Sequence, residues 1–233
     1  MTQMRATTVP VTTDDGPMRV HVRGADDAPP VVVLMPAPGV TEAVLEVADR
    51  LADEGFRALV PELYHRIGDD VTFGPDQDQA MRAAMAGLTD AMALADIGAV
   101  LESLDRGADV GVIGFCMGGR FALRAMAAFP DRVVAGAALH PSRLLQDGDS
   151  SPHLDLARIN GPLYIGFGRD DTIVPPQHWA AVDEQVTKHR KPVQIEVHPG
   201  AEHGYMLRGP RYLASAAEAS WAGTRDALDA LRD

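Results

Sequence analysis

The stretch GVIGFCMGGR, residues 111 to 120, sets the chain's only cysteine, Cys116, among glycines directly after an apolar run. A strand ending at GFC and a helix opening at MGGRFAL force the backbone to reverse within a few residues. Gly114 and Gly118 leave room for so crowded a turn. A thiol there projects above a sheet at a helix N-terminus, where free N–H groups and the helix dipole favour its anion. The N–H of Met117 can donate to an oxyanion formed beside the sulfur. A second donor normally comes from the loop after an earlier strand, here MPAPGV; Pro36 has no N–H, which leaves Ala37. A lone cysteine elsewhere is a small buried hydrophobe, but this setting is that of a nucleophile. The G-x-G-x-x-G of a dinucleotide loop is absent.

A nucleophile needs a base, and the base needs an orienting group. GFGRDDTIVPP follows an apolar strand and places Asp170 and Asp171 on the next loop. Asp171, which begins D-x-x-V-P, is the expected acid, with Asp170 left to turn formation. HPGAEHGYM follows the last strand and puts His203 on the final loop, ahead of His198, which ends the strand itself. Strand-end loops at the carboxyl edge of an open sheet are where α/β proteins assemble ligand sites. A metal reading of His198, Glu202 and His203 fails on spacing, because these residues sit in a Pro/Gly turn rather than on the helix face of H-E-x-x-H. No metal and no cofactor is expected, and no phosphate-cradling G-x-x-x-x-G-K-[ST] occurs.

Elements that could position these residues follow from periodicity. ATTVPVTT and MRVHVRG, joined by DDG, alternate as a hairpin, and PPVVVLM is a continuous apolar run suited to a strand covered on both faces. Val44, Val47, Ala48 and Leu51 recur at helical spacing between Thr41 and Gly55. FRALVPELY, ADVGVIGF, RVVAGAAL, GPLYIGFG and PVQIEVH read as further strands, separated by helical stretches. The Ala- and Met-rich stretch from Asp76 to Asp105 predicts one or two helices broken near Gly87 or Thr89, with Met81 to Met92 packed on the sheet. The alternation predicts an α/β fold: a mostly parallel central sheet flanked by helices and opened by an N-terminal antiparallel hairpin.

Acidic residues exceed basic ones for a net charge of −12, which opposes a nucleic-acid backbone and brings no basic aromatic patch to offset it. The N-terminal stretch lacks the apolar core of a signal peptide and no long apolar span occurs, so a cytoplasmic protein without membrane contact is expected. One cysteine excludes an intramolecular disulfide. No linker or repeat divides the chain, so residues 1 to 233 are expected to form a single domain, and a monomer.

The order Cys116, Asp171, His203, carried on GFCMGG, GRDDTIVP and AEHGY, together with PGV and PELYHR, resembles the dienelactone hydrolase family of the α/β-hydrolase superfamily over nearly the whole chain. The resemblance implies an α/β-hydrolase fold and cofactor-free hydrolysis of an ester or lactone. Cys116 would attack the carbonyl, Asp171 would orient His203, His203 would generate the thiolate and later activate water, and the N–H groups of Ala37 and Met117 would hold the oxyanion. Thiolates leave readily, so enol lactones, aryl esters and thioesters should react better than amides or alkyl esters. Characterised members carry a glutamate after the strand corresponding to VVVLM, where this chain has Pro36; Glu42 and Glu62 lie nearby without occupying that position. The substrate-triggered activation that this glutamate serves is therefore expected to be absent. Members also hold a substrate carboxylate with arginines, for which Arg82 and Arg208 are the candidates. Tyr64, His140, Trp179 and Tyr205 follow strand ends or flank the loops above and are candidate substrate contacts, whereas Arg120 is expected to be structural. Two alternatives stand beside hydrolysis: a non-catalytic small-ligand binding protein on the same fold, and a thioesterase or acyltransferase using the same three residues.

Overall fold

The computed structural model describes residues 5–232. Strands β1 (Arg5–Thr13) and β2 (Gly16–Gly24) form an antiparallel hairpin, and β2 pairs antiparallel with β4 (Arg57–Pro61). From there β3 (Pro30–Leu34), β5 (Val110–Phe115), β6 (Val133–Leu139), β7 (Leu163–Gly168) and β8 (Val193–His198) continue in parallel, in the spatial order β1-β2-β4-β3-β5-β6-β7-β8. All residues of β5 and β7 are buried, as their unbroken apolar runs require of strands covered on both faces.

Helices cover the two faces. Between β3 and β4, α1 (Glu42–Asp53) buries Val44, Val47, Ala48 and Leu51, one stripe at helical spacing. On the same side lies α6 (Ala214–Leu228), with Trp221 in the core. The opposite face is packed by α3 (Asp90–Glu102) and by α4 (Met117–Ala128), and beyond β7 lies α5 (Pro176–His189).

The Met-rich stretch breaks where the sequence suggests. α2 (Asp78–Gly87) ends before Leu88, and Thr89 caps α3 by accepting a hydrogen bond from the Met92 N–H at 3.2 Å. Packing differs from the expectation, because α2 has no buried residue while α3 buries Ala93, Asp96, Ile97, Val100 and Leu101. Met81, Ala84 and Met85 bring only a half-buried ridge against the core. Among the described residues no single helix is long and apolar enough to cross a membrane; the segment Pro75–Gly87 reaches that measure only together with α3, across a 75° bend.

Ion pairs between distant segments pin the loops at the carboxyl edge. Asp96, fully buried on α3, takes both amino groups of Arg66 at 2.7 and 2.8 Å and so ties down the loop after β4. Arg120 and Arg124 on α4 hold Asp90 at 2.9 and 2.6 Å, fixing the start of α3 against the helix that follows Cys116. The segments carrying Ala37, Tyr64, Cys116, His140, Asp171 and His203 thus all leave the carboxyl ends of β3 to β8, the edge where open α/β sheets place ligands.

Candidate active site

Cys116 occupies the turn between β5 and α4 with φ 54° and ψ −115°. Left-handed backbone at a non-glycine residue costs on the order of 1–3 kcal/mol and persists only where the surroundings over-determine it. They do so here: Cys116 N–H donates to Leu139 O at 3.1 Å, and Cys116 O accepts from Ser142 N–H at 3.0 Å. The tight turn also explains its glycines. A Cβ on Gly114 would lie 2.1 Å from Gly118 O, and one on Gly118 would lie 2.3 Å from Leu34 O.

Opposite the sulfur stands a histidine tied to an aspartate. His203 Nδ1 lies 2.7 Å from Asp171 Oδ2, and Asp171 Oδ1 accepts the N–H groups of Ile173 and Val174 at 2.8 and 2.9 Å. Burial raises the Asp171 pKa, but His203 and these two N–H groups outweigh it, so the carboxylate titrates below its usual range. For His203, burial favours the neutral ring; Asp171 and Cys116 overcome that and hold the imidazolium to about pH 9. Burial likewise pushes the Cys116 thiol up, and His203, Ser142 and the Met117 N–H together bring it below its ordinary value. His203 Nε2 is buried without a hydrogen bond of ordinary geometry, and its electrostatic partner is the sulfur. The arrangement can hold a thiolate–imidazolium pair.

The Met117 N–H steadies the sulfur from the first turn of α4. On the loop after β3, Gly39 N–H donates to Pro36 O at 2.9 Å and so fixes the peptide plane that carries the Ala37 N–H. Tyr64 locks the next peptide by donating to Ala37 O at 2.9 Å, and its ring packs edge-on to Phe73. Burial first, and then Cys116, raise the Tyr64 pKa, which keeps the phenol a donor. Tyr64 therefore supports the loop after β3; it is 4% exposed.

The other residues singled out in the sequence are dispersed. Asp170 is exposed, and its backbone N–H donates to Ala201 O at 3.0 Å. His198 points into a buried network, with Nε2 2.8 Å from Ser220 Oγ and 3.0 Å from the Tyr164 hydroxyl, and so does not share a centre with His203. Tyr205 belongs to the same network through Ser220 Oγ at 2.7 Å and is fully buried, out of reach of a substrate. Arg82 is exposed on α2 and pairs with Asp78 at 2.8 Å. Arg208 pairs with Glu46 of α1 at 3.2 Å and lines a groove of about 470 Å³ beside α6. Both guanidinium groups are thus held at the surface by carboxylates rather than by the Cys116 turn. Trp179 is half-buried against Phe167, with ring centroids 6.2 Å apart, at the start of α5. His140 lies beneath His203 with 1% exposure, so it meets a substrate only through that ring. Glu62 is buried, 2.8 Å from His21 Nε2 and from the Asp70 N–H, and anchors the loop after β4 to the hairpin. Glu42 opens α1.

Ser142 escaped the sequence reading. Its Oγ lies 3.6 Å from Cys116 Sγ, so the hydroxyl can donate to a thiolate. A signal existed in HPSR directly after β6, because β6 is the neighbour of β5 and its carboxyl end must abut the Cys116 turn.

The sequence pattern of the dienelactone hydrolase family matches residues 18–231. The chain belongs to the dienelactone hydrolase family. Among relatives, a carboxymethylenebutenolidase of Rhodococcus opacus is 31% identical over 200 residues, covering 83% of this chain and 78% of the relative. A dienelactone hydrolase-like promiscuous phosphotriesterase, P91, from metagenomic libraries superposes with a TM-score of 0.80 at 25% identity, covering 98% of each chain. Est1E of Butyrivibrio proteoclasticus shares the fold at a TM-score of 0.68 and 15% identity, covering 97% of this chain and 99% of its own. The eight-stranded mixed sheet with its N-terminal hairpin is therefore the α/β-hydrolase architecture of this family.

Proposed function

We propose that this member of the dienelactone hydrolase family hydrolyses small activated carboxylic esters or lactones through a Cys116 thioester. The observation that carries the reading is the 2.7 Å pair of His203 and Asp171 set across from a cysteine in strained left-handed backbone. The Cys116 thiolate adds to the acyl carbon, and the carbonyl electrons move to an oxyanion facing the N–H groups of Ala37 and Met117. The His203 imidazolium gives its Nε2 proton to the departing oxygen as the C–O bond breaks, leaving a thioester and a neutral ring. That ring takes a proton from water, whose oxygen attacks the thioester, and collapse of the second adduct restores the thiolate and the imidazolium.

A thiolate is expelled more easily than an alkoxide, so productive collapse of the first adduct requires a good leaving group. Enol lactones and aryl esters meet that condition. With Arg82 and Arg208 engaged in surface ion pairs and Pro36 where a glutamate would stand, selection rests on acyl reactivity rather than on a carboxylate handle. A reducing compartment such as the cytoplasm would keep Cys116 a free thiol. The test is turnover of p-nitrophenyl acetate by reduced wild type and Cys116→Ala, with intact-mass detection of an acetyl adduct. Turnover and adduct should both vanish in the folded variant. Undiminished turnover by Cys116→Ala would remove the cysteine from the mechanism.

A further inference from the structure

His140 is the odd group of this site. It follows β6 with φ 39°, is 1% exposed, and neither ring nitrogen has a hydrogen-bond partner among the described residues. Burying an unpaired polar group destabilises a fold, and an aromatic hydrocarbon of the same shape would avoid that cost. The backbone is nevertheless held firmly, with His140 N–H donating to Gly166 O at 2.7 Å. Its ring stands at 70° to the His203 ring with centroids 4.9 Å apart, at 69° to Tyr205 at 5.5 Å, and tilted against Phe115 at 6.1 Å. The titratable groups facing it are His203, Asp171 and the Tyr205 phenol.

We infer that His140 is a positioning residue whose neutral imidazole dipole stabilises the imidazolium form of His203, and through it the Cys116 thiolate. Because neither nitrogen is committed to a partner, the tautomer is not locked. The ring can carry its proton on the nitrogen farther from His203 and turn a lone pair toward the positive charge. A dipole in a dry site acts strongly on a charge whose ring centroid lies 4.9 Å away. Burial and the neighbouring His203 keep His140 itself neutral down to about pH 3, so it supplies polarity without a second cation. The unpaired nitrogens are thus an expense in stability retained for what they do to the adjacent base.

This inference rests on the Cys116–His203 reading, and one experiment separates the two. Cys116 is the only cysteine, so the rate of iodoacetamide alkylation against pH reports its thiolate directly, without turnover. Wild type, His140→Phe and His140→Gln are compared. Phe keeps the aromatic wall and removes the polarity; Gln removes the ring and keeps polarity. In wild type the alkylation midpoint should lie below the ordinary thiol value of about 8.5. In His140→Phe it should rise by about one pH unit, with the acylation rate on p-nitrophenyl acetate near neutral pH falling about tenfold and KM little changed. His140→Gln should recover part of both. A folded His140→Phe with the wild-type midpoint and rate would overturn the inference, as would Gln behaving no better than Phe. An ordinary midpoint in wild type would instead remove the thiolate–imidazolium pair, and the proposed function with it.

Discussion

Asp171 divides its two oxygens, one to His203 Nδ1 and the other to the N–H groups of Ile173 and Val174. This division makes Asp171→Asn an informative change. The Asn carbonyl would take over the two backbone donors, leaving its NH2 toward His203 Nδ1, which must then accept. The imidazole would carry its proton on Nε2 and confront the sulfur as a donor that cannot accept the thiol proton. In hydrolases built on this logic the wrong tautomer lowers kcat by about 10⁴-fold, and a loss of at least about 10²-fold is expected here. The pH profile should respond too. His203 must be protonated to release the leaving oxygen, so kcat/KM should fall on the alkaline side near the His203 value of about 9. Loss of the Asp171 charge removes a cause of that raised value, and the alkaline limb should move to lower pH in Asp171→Asn. Initial rates across the alkaline range check both, and an unmoved limb would mean that another group sets it.

The elements that carry these residues meet backbone to backbone. Gly118, on the first turn of α4, faces β3 so closely that a methyl group would fall 2.3 Å from Leu34 O and 2.6 Å from Met35 O. Main chain on both sides cannot yield, and Gly118→Ala should lose about 3 kcal/mol or more in a urea melt, with the Cys116 turn displaced. Gly87, at the end of α2, has open space around it and ordinary φ, so Gly87→Ala should gain about 0.5–1 kcal/mol. The contrast tracks what periodicity can disclose. Buried strands such as β5 and the Val44, Val47, Ala48, Leu51 stripe of α1 are written in local pattern, as is the glycine-flanked turn at Cys116. Local pattern also separated α2 from α3 but missed that α2 stays on the surface, since Met and Ala read as apolar wherever they lie. Arg66 with Asp96, or Ser142 with Cys116, are matches across 30 and 26 residues. Such pairs depend on which loops the strand order brings together. Arg82 and Arg208 illustrate the converse: arginines near the right loops in sequence, captured at the surface by Asp78 and Glu46.

Over the whole molecule, the two adjacent histidines make stability fall on both sides of neutrality, for opposite reasons. An unfolded histidine titrates near about 6.5, whereas folded His140 stays neutral to about pH 3. Between those values the unfolded chain binds a proton that the folded chain refuses, so stability declines as the pH drops through that window. His203 is the reverse case. Its folded value of about 9 gives a contribution fully present below about pH 6.5 and lost as the pH rises through 9. The depressed Asp171 carboxyl adds stability above the ordinary aspartate range that is lost only on stronger acidification. Replacing His140 by Phe removes the first of these groups and the dipole that supports the second. It should raise the melting temperature at neutral pH by relieving two unpaired buried nitrogens, at about 2–4 °C for each kcal/mol recovered in a chain of this size. It should also flatten the decline between about pH 6.5 and pH 4.5, while the alkaline decline, which the raised His203 value sets, should begin at lower pH because the imidazolium has lost the support of the His140 dipole. Thermal melts of wild type and His140→Phe over that range decide it. Parallel acid limbs would show that His140 ionises as readily in the folded chain as in the unfolded one, and that the ring is wetter than its burial implies.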